Sequence, residues 1–134
     1  LRMDTIDGES VSFSGDTAPC DRFIELSKDV DVMIHECTFP ESALEFRRKV
    51  AVGTWSHTSP IELGKIAKEA NAKRLIATHF GSYDTCNPVV KEIMSVHMPA
   101  DIIGPELLDE VARDIQKTYK GELRLAHDNM RIDI

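Results

Sequence analysis

Residues 59 to 72 carry the most explicit folding instruction in this chain. Ser59 is a favourable N-cap, Pro60 follows at the first helical position, and Glu62 stands three residues after the cap, where its carboxylate can reach back to the cap N–H. Leu63, Ile66, Ala67 and Ala70 then recur at i, i+3, i+4 and i+7, a single apolar face, so the spacing predicts a helix over 60–72. Short apolar runs flank it, Val30-Asp31-Val32-Met33-Ile34 before and Leu75-Ile76-Ala77 after, and both read as strands. Strands alternating with helices of this kind specify an α/β fold.

The rest of the chain continues the pattern. Arg2 to Thr5 and Val11 to Ser14 read as two strands joined by a turn at Asp7-Gly8, where glycine tolerates positive φ. Pro19 opens a short helix through Phe23, Ile24 and Leu26, and Glu41 to Val50 reads as another helix. Asn87-Pro88 repeats the cap-plus-proline start for a helix to about Val96. Pro105 to Tyr119 is amphipathic through Leu108, Val111, Ala112 and Ile115, with Gly121 ending it. Glu122 to Ala126 and Met130 to Ile134 are expected to close the fold as a hairpin around Asp128-Asn129. The order is ββαβααβααββ, without repeats or linkers, in 134 residues, enough for one compact domain.

Charge and cysteine content narrow the function classes. A net charge of −7 works against unspecific binding to a phosphate backbone. The basic cluster Arg47-Arg48-Lys49 reads as a solvated helix face. No apolar run reaches membrane-spanning length, and the first residues have no signal-peptide pattern. Cys20, Cys37 and Cys86 are odd in number and widely spaced, which fits reduced thiols and a cytoplasmic protein.

The chemistry gathers at strand ends. VSFSG is followed by Asp16, VDVMI by His35-Glu36, and RLIAT by His79. Ligands of α/β sheets collect beyond the carboxyl ends of strands, so these endings point to one shared site. His57, just before the capped helix, is a fourth candidate, with the helix N-terminus nearby expected to favour oxyanions.

In the strings Phe13-Ser14-Gly15-Asp16-Thr17, Ile34-His35-Glu36-Cys37-Thr38-Phe39, His57-Thr58-Ser59-Pro60 and Leu75-Ile76-Ala77-Thr78-His79-Phe80, the chain resembles the metallo-β-lactamase superfamily, nearest its ribonuclease Z-like branch. The resemblance covers nearly the whole chain and is sharpest from Val11 to Gly81. It implies half of an αββα sandwich, a mixed sheet with covering helices. It also implies a hydrolase that cleaves phosphodiester or related ester bonds through a pair of zinc ions and a metal-activated water. In that scheme Asp16 bridges the two metals and His79 is the last histidine ligand. Glu36 orients His57, which protonates the leaving oxygen. His35 falls on the opposite side of its strand and is left structural.

The family's His-x-His-x-Asp-His motif occurs nowhere in the chain, and the ligand histidine that should precede Asp16 is absent too. Residues 1–134 are therefore expected to form the C-terminal part of the hydrolase domain, with its N-terminal metal-motif half missing. Two protein ligands are too few for a well-formed dinuclear site, so zinc binding and hydrolysis by this chain alone should be weak or absent. The bare sheet face calls for the missing half or a second copy, hence a homo-oligomer. The expected substrate is RNA or a small phosphodiester. Phe80-Gly81-Ser82-Tyr83-Asp84 lacks the arginine common after the last ligand in ribonuclease Z, and Thr58-Ser59 reverses the usual order. A lactone, sulfate ester or cyclic nucleotide substrate, or a non-catalytic half-domain serving as a dimerisation module, are the alternatives.

Overall fold

A computed structural model describes residues 1–50, 56–96 and 98–134. Eleven elements follow in order: β1 (Arg2–Asp4), β2 (Ser10–Phe13), α1 (Asp21–Leu26), β3 (Val32–Glu36), α2 (Glu41–Lys49), α3 (Pro60–Glu69), β4 (Arg74–Thr78), α4 (Pro88–Met94), a 3-10 turn (Ala100–Ile102), α5 (Glu106–Ile115) and β5 (Glu122–Leu125). The strands form one sheet in sequence order, β1 antiparallel to β2 and the remaining three pairs parallel. Helices α1, α3 and α5 pack over one face of the sheet.

The covered face holds the main core. Met33, Leu75 and Ala77 from the strands pack with Phe23 and Ile24 of α1, Leu63 and Ile66 of α3, and Val111 and Ile115 of α5. Helix α3 forms as its sequence directs: Ser59 accepts from Glu62 N, and the Glu62 carboxylate accepts from Ser59 N at 3.0 Å, a complete capping box. Gly64 in this helix has a packing reason that its propensity hides. A Cβ there would lie 2.3 Å from Thr118 Oγ1 and 2.4 Å from the Ile115 carbonyl oxygen, so α3 and α5 touch backbone to backbone. The buried residues of α5 are Leu107, Val111, Asp114 and Ile115; Val111 and Ile115 belong to the expected stripe, whereas Leu108 and Ala112 are half-buried and Leu107 takes the inner place. A second cluster of Phe39, Ala43, Tyr83, Met98, Ile103 and Leu107 joins α2 to the loops after β3 and β4 and to the start of α5.

The other face carries Val11, Val32, Arg74 and Glu122 in one row and Phe13, Ile34, Ile76 and Arg124 in the next. It is only partly bare. Leu1, Met3 and Phe13, at the β1–β2 edge, are 71%, 58% and 45% exposed, whereas Val32 and Ile76 in the centre are 1% exposed. The tail returns onto this face, where Arg74 Nη1 donates to the Asp133 carbonyl at 2.5 Å. This corrects the closing hairpin: Glu122–Leu125 is a strand, but residues 130–134 add none. Asn129 takes a left-handed φ of 61°, Met130 N donates to His127 O, and the chain is drawn over the sheet rather than beside β5.

One further expectation changes. Arg47 is not solvated: it is buried, with its guanidinium 3.8 Å above the Phe39 ring, while Arg48 and Lys49 stay exposed. Of the three free cysteines, Cys37 is buried, and desolvation pushes its thiol well above the usual range; Cys86 is exposed. Among the described residues no helix is long and apolar enough to cross a membrane.

Candidate active site

The parallel register assembles the site. Glu36 pairs with Thr78, so β3 and β4 end level with each other, and β2, whose last residue Phe13 pairs with Ile34, ends two residues short and runs on through Ser14 to Asp16. Asp16, Glu36 and His79 come from those three ends. Gly15 (φ 64°) and His79 (φ 63°) both take left-handed backbone just beyond their strands. For histidine that conformation costs on the order of 1–3 kcal/mol, and strain of this kind concentrates at functional positions. A cleft of about 180 Å3, lined by Phe13, Gly15, Asp16, Glu36, Thr78 and His79, opens here.

Glu36 is the hub. It is 2% exposed. Its Oε1 accepts from Thr58 N at 2.8 Å and Thr17 N at 3.3 Å, and its Oε2 from Thr38 N at 3.0 Å and Thr38 Oγ1 at 2.7 Å. Its Oε1 also lies 3.3 Å from His57 Nδ1. Charge-assisted hydrogen bonds of this sort contribute about 1.5–3 kcal/mol each. One carboxylate thus ties the loop after β2, the loop after β3 and the lead-in to α3. Thr58 Oγ1 adds a 2.7 Å bond to Thr17 O between two of them.

The histidines sit on this hub. His57 and His79 stack with ring centroids 5.6 Å apart, and the His57 ring meets Phe39 edge-on at 5.4 Å. His79 Nδ1 is 3.6 Å from Asp16 Oδ1. Asp16 and His79 are 63% and 45% exposed at the side chain, against 21% for His57. All four sequence candidates therefore converge. His35 points the other way, as its strand parity requires. It is 1% exposed, its Nδ1 lies 2.7 Å from Glu36 O, its ring meets Phe23 at 5.0 Å, and burial lowers its pKa.

One residue escaped the sequence reading. Thr38 Oγ1 lies 3.1 Å from His57 Nδ1 and 2.7 Å from His79 Nδ1, besides its bond to Glu36. Its only sequence signal is its place two residues after Glu36, from where a short hydroxyl can turn back to the carboxylate. The expected oxyanion site at the start of α3 is also corrected. Its free N–H groups already serve carboxylates and the cap: Ile61 N binds Glu41 Oε1 at 3.0 Å, Ser59 N binds Glu62, and Glu62 N faces Ser59 Oγ.

The donor chemistry suits a divalent metal. One ligating atom each from Glu36, His57 and His79 lie within 4.8 Å of one another, and imidazole and carboxylate are ordinary zinc ligands. Glu36 is already engaged on both oxygens, whereas Asp16 accepts no hydrogen bond among the described residues and its carboxylate stands open to the cleft. Asp16 and His79 fit as ligands, and Glu36 fits as the group that orients its neighbours.

A family model described as "Beta-lactamase superfamily domain" matches residues 1–80, which contain every one of these side chains. The chain belongs to the metallo-β-lactamase superfamily. Within this superfamily it is similar to ribonuclease BN of Escherichia coli, 35% identical over 94 residues, covering 68% of this chain and 29% of the relative. It is also similar to ribonuclease Z of Methanosarcina acetivorans, 32% identical over 91 residues, covering 66% and 28%. The metallo-β-lactamase fold protein YhfI of Bacillus subtilis superposes with a TM-score of 0.58 at 25% identity, covering 91% of this chain and 39% of that one. The chain thus spans under a third of the length of these curated relatives, and its five-stranded mixed sheet with helices agrees with the superfamily fold.

Proposed function

We propose that this chain is the C-terminal half of a zinc-dependent phosphodiesterase of ribonuclease type. The observation that carries the reading is the meeting of Asp16, Glu36, His57 and His79 at one sheet edge, with Asp16 and His79 3.6 Å apart and Glu36 3.3 Å from His57. Asp16 and His79 hold metal. A zinc pair, when bound, supplies Lewis acidity and an activated nucleophile at neutral pH. Glu36 fixes the His57 ring, and His57 delivers a proton to the leaving oxygen. The open β1–β2 edge with Leu1, Met3 and Phe13 takes the remainder of the domain or, in its absence, a second copy.

In the full-length enzyme His57→Ala should leave zinc content unchanged and slow turnover by about 10²- to 10⁴-fold. An unchanged rate removes His57 from the mechanism. This chain alone should bind zinc weakly and hydrolyse little, and calorimetric titration showing two tight zinc sites per monomer would falsify the half-domain reading. The net charge of −7 and the arginine-free run Phe80-Gly81-Ser82-Tyr83-Asp84 favour a second substrate class, a smaller ester. Cleavage of a bis-phosphodiester dye without cleavage of precursor tRNA would select it.

A further inference from the structure

The Thr38 hydroxyl has one proton and three close partners: Glu36 Oε2 at 2.7 Å, His79 Nδ1 at 2.7 Å and His57 Nδ1 at 3.1 Å. A carboxylate can only accept, so the proton goes to Glu36. The hydroxyl oxygen then has two lone pairs left, and each faces a histidine Nδ1. Both Nδ1 atoms must donate, His79 to Thr38 and His57 to Thr38 with Glu36 Oε1, 3.3 Å away, as a second acceptor. Asp16 Oδ1, 3.6 Å from His79 Nδ1, lies too far to replace Thr38 as acceptor. Thr38 is 6% exposed, so water does not readily take its place.

We propose that Thr38 is a shared positioning residue that holds His57 and His79 together as Nδ1–H tautomers and leaves Nε2 of each as the working atom. For His79 this makes Nε2 the lone-pair donor to a cation, with its other nitrogen anchored as metal-ligating histidines usually are. For His57 it confines proton exchange to Nε2. The doubly protonated ring gives up its Nε2 proton, the leaving oxygen gains it, and the neutral ring that remains is again the Nδ1–H form. No rearrangement of the Thr38–Glu36 bond is needed in either state. A single hydroxyl thereby couples a metal ligand to a proton donor that comes from a different loop. The roles rest on the function proposed above; the tautomers do not.

The test uses the metal-free full-length protein. Long-range 1H–15N spectra, assigned with His57→Ala and His79→Ala, report which nitrogen of each ring carries the proton. The wild type should show Nδ1–H for both. Thr38→Val, which keeps the shape and loses the hydroxyl, should release His79 to Nε2–H, while Glu36 Oε1 still accepts from His57 Nδ1, and weaken zinc affinity by about 10- to 100-fold. Thr38→Ser should restore both readings. Nε2–H at either histidine in the wild type, unchanged tautomers and zinc affinity in Thr38→Val, or failure of Thr38→Ser to restore them, each overturn the assignment. Should Thr38→Val not fold, the wild-type and serine spectra decide. Absence of phosphodiester hydrolysis would sink the proposed function and leave the tautomer result standing, so the two failures are separable.

Discussion

Asp31, just before β3, and Glu36, its last residue, fasten opposite ends of one strand by the same device and to different effect. Asp31 Oδ2 accepts from Ser10 N and Ser10 Oγ, both at 2.8 Å, and its Oδ1 accepts from Lys73 Nζ at 2.6 Å. Glu36 likewise gathers backbone N–H groups and a hydroxyl from neighbouring segments. The difference lies in the last partner. Lysine neutralises Asp31 where it stands, a quarter exposed, and the joint is finished. Glu36 is buried and faces histidine, a side chain that can take up and release a proton. A carboxylate joint with a permanent cation is a fastening. The same joint against imidazole is also a place to do chemistry.

The largest effect should separate the two ends by metal content. In the full-length protein Asp16→Ala, at the carboxyl end, should abolish zinc loading and hydrolysis together, while Asp31→Ala keeps both. Elemental analysis checks this, and an equal loss in Asp31→Ala would erase the distinction. Next comes stability. Glu36→Ala leaves the buried N–H groups of Thr38 and Thr58 and the half-buried one of Thr17 without their acceptor and should destabilise the fold by on the order of 3 kcal/mol in denaturant unfolding. Asp31→Ala, with water at hand, should cost clearly less.

The smallest effect is in acid. The hydrogen bond from Lys73, then those from Ser10, hold the Asp31 carboxyl down from 3.8 to about 2. Its folded pKa lies below its unfolded one, so its stabilisation is complete above 3.8 and fades as pH falls through about 2. The stability gap between wild type and Asp31→Asn should therefore narrow with acidification over that window and stay constant near neutrality. A gap independent of pH down to 2 would mean that the Lys73 contact is not formed in solution.

What could be read from the sequence was local or periodic. The capping box at Ser59, the apolar face of α3 and the polar endings of three strands need only near neighbours to interpret, and all appear in the fold. Three of the four candidate residues, Asp16, Glu36 and His79, were legible because strand ends in a parallel sheet share an edge, and His57 because it leads into the capped helix α3. Features set by distant partners were not. Ile61 N is occupied by Glu41, twenty residues earlier, which closes the expected anion site at α3. Arg47 is buried by Phe39, and residues 130–134 are diverted onto the sheet by Arg74. Thr38 stood in a recognised string, yet its role emerges only when histidines from two other loops arrive beside it.

The Glu36 hub also decides when the site becomes rigid. Three loops are closed on one buried carboxylate as the chain folds, so most of their conformational entropy is lost at that moment. An arriving ion or substrate then meets preorganised groups and has few segments left to immobilise. Affinity there should follow the number and kind of donor atoms, with a small entropic penalty for loop ordering.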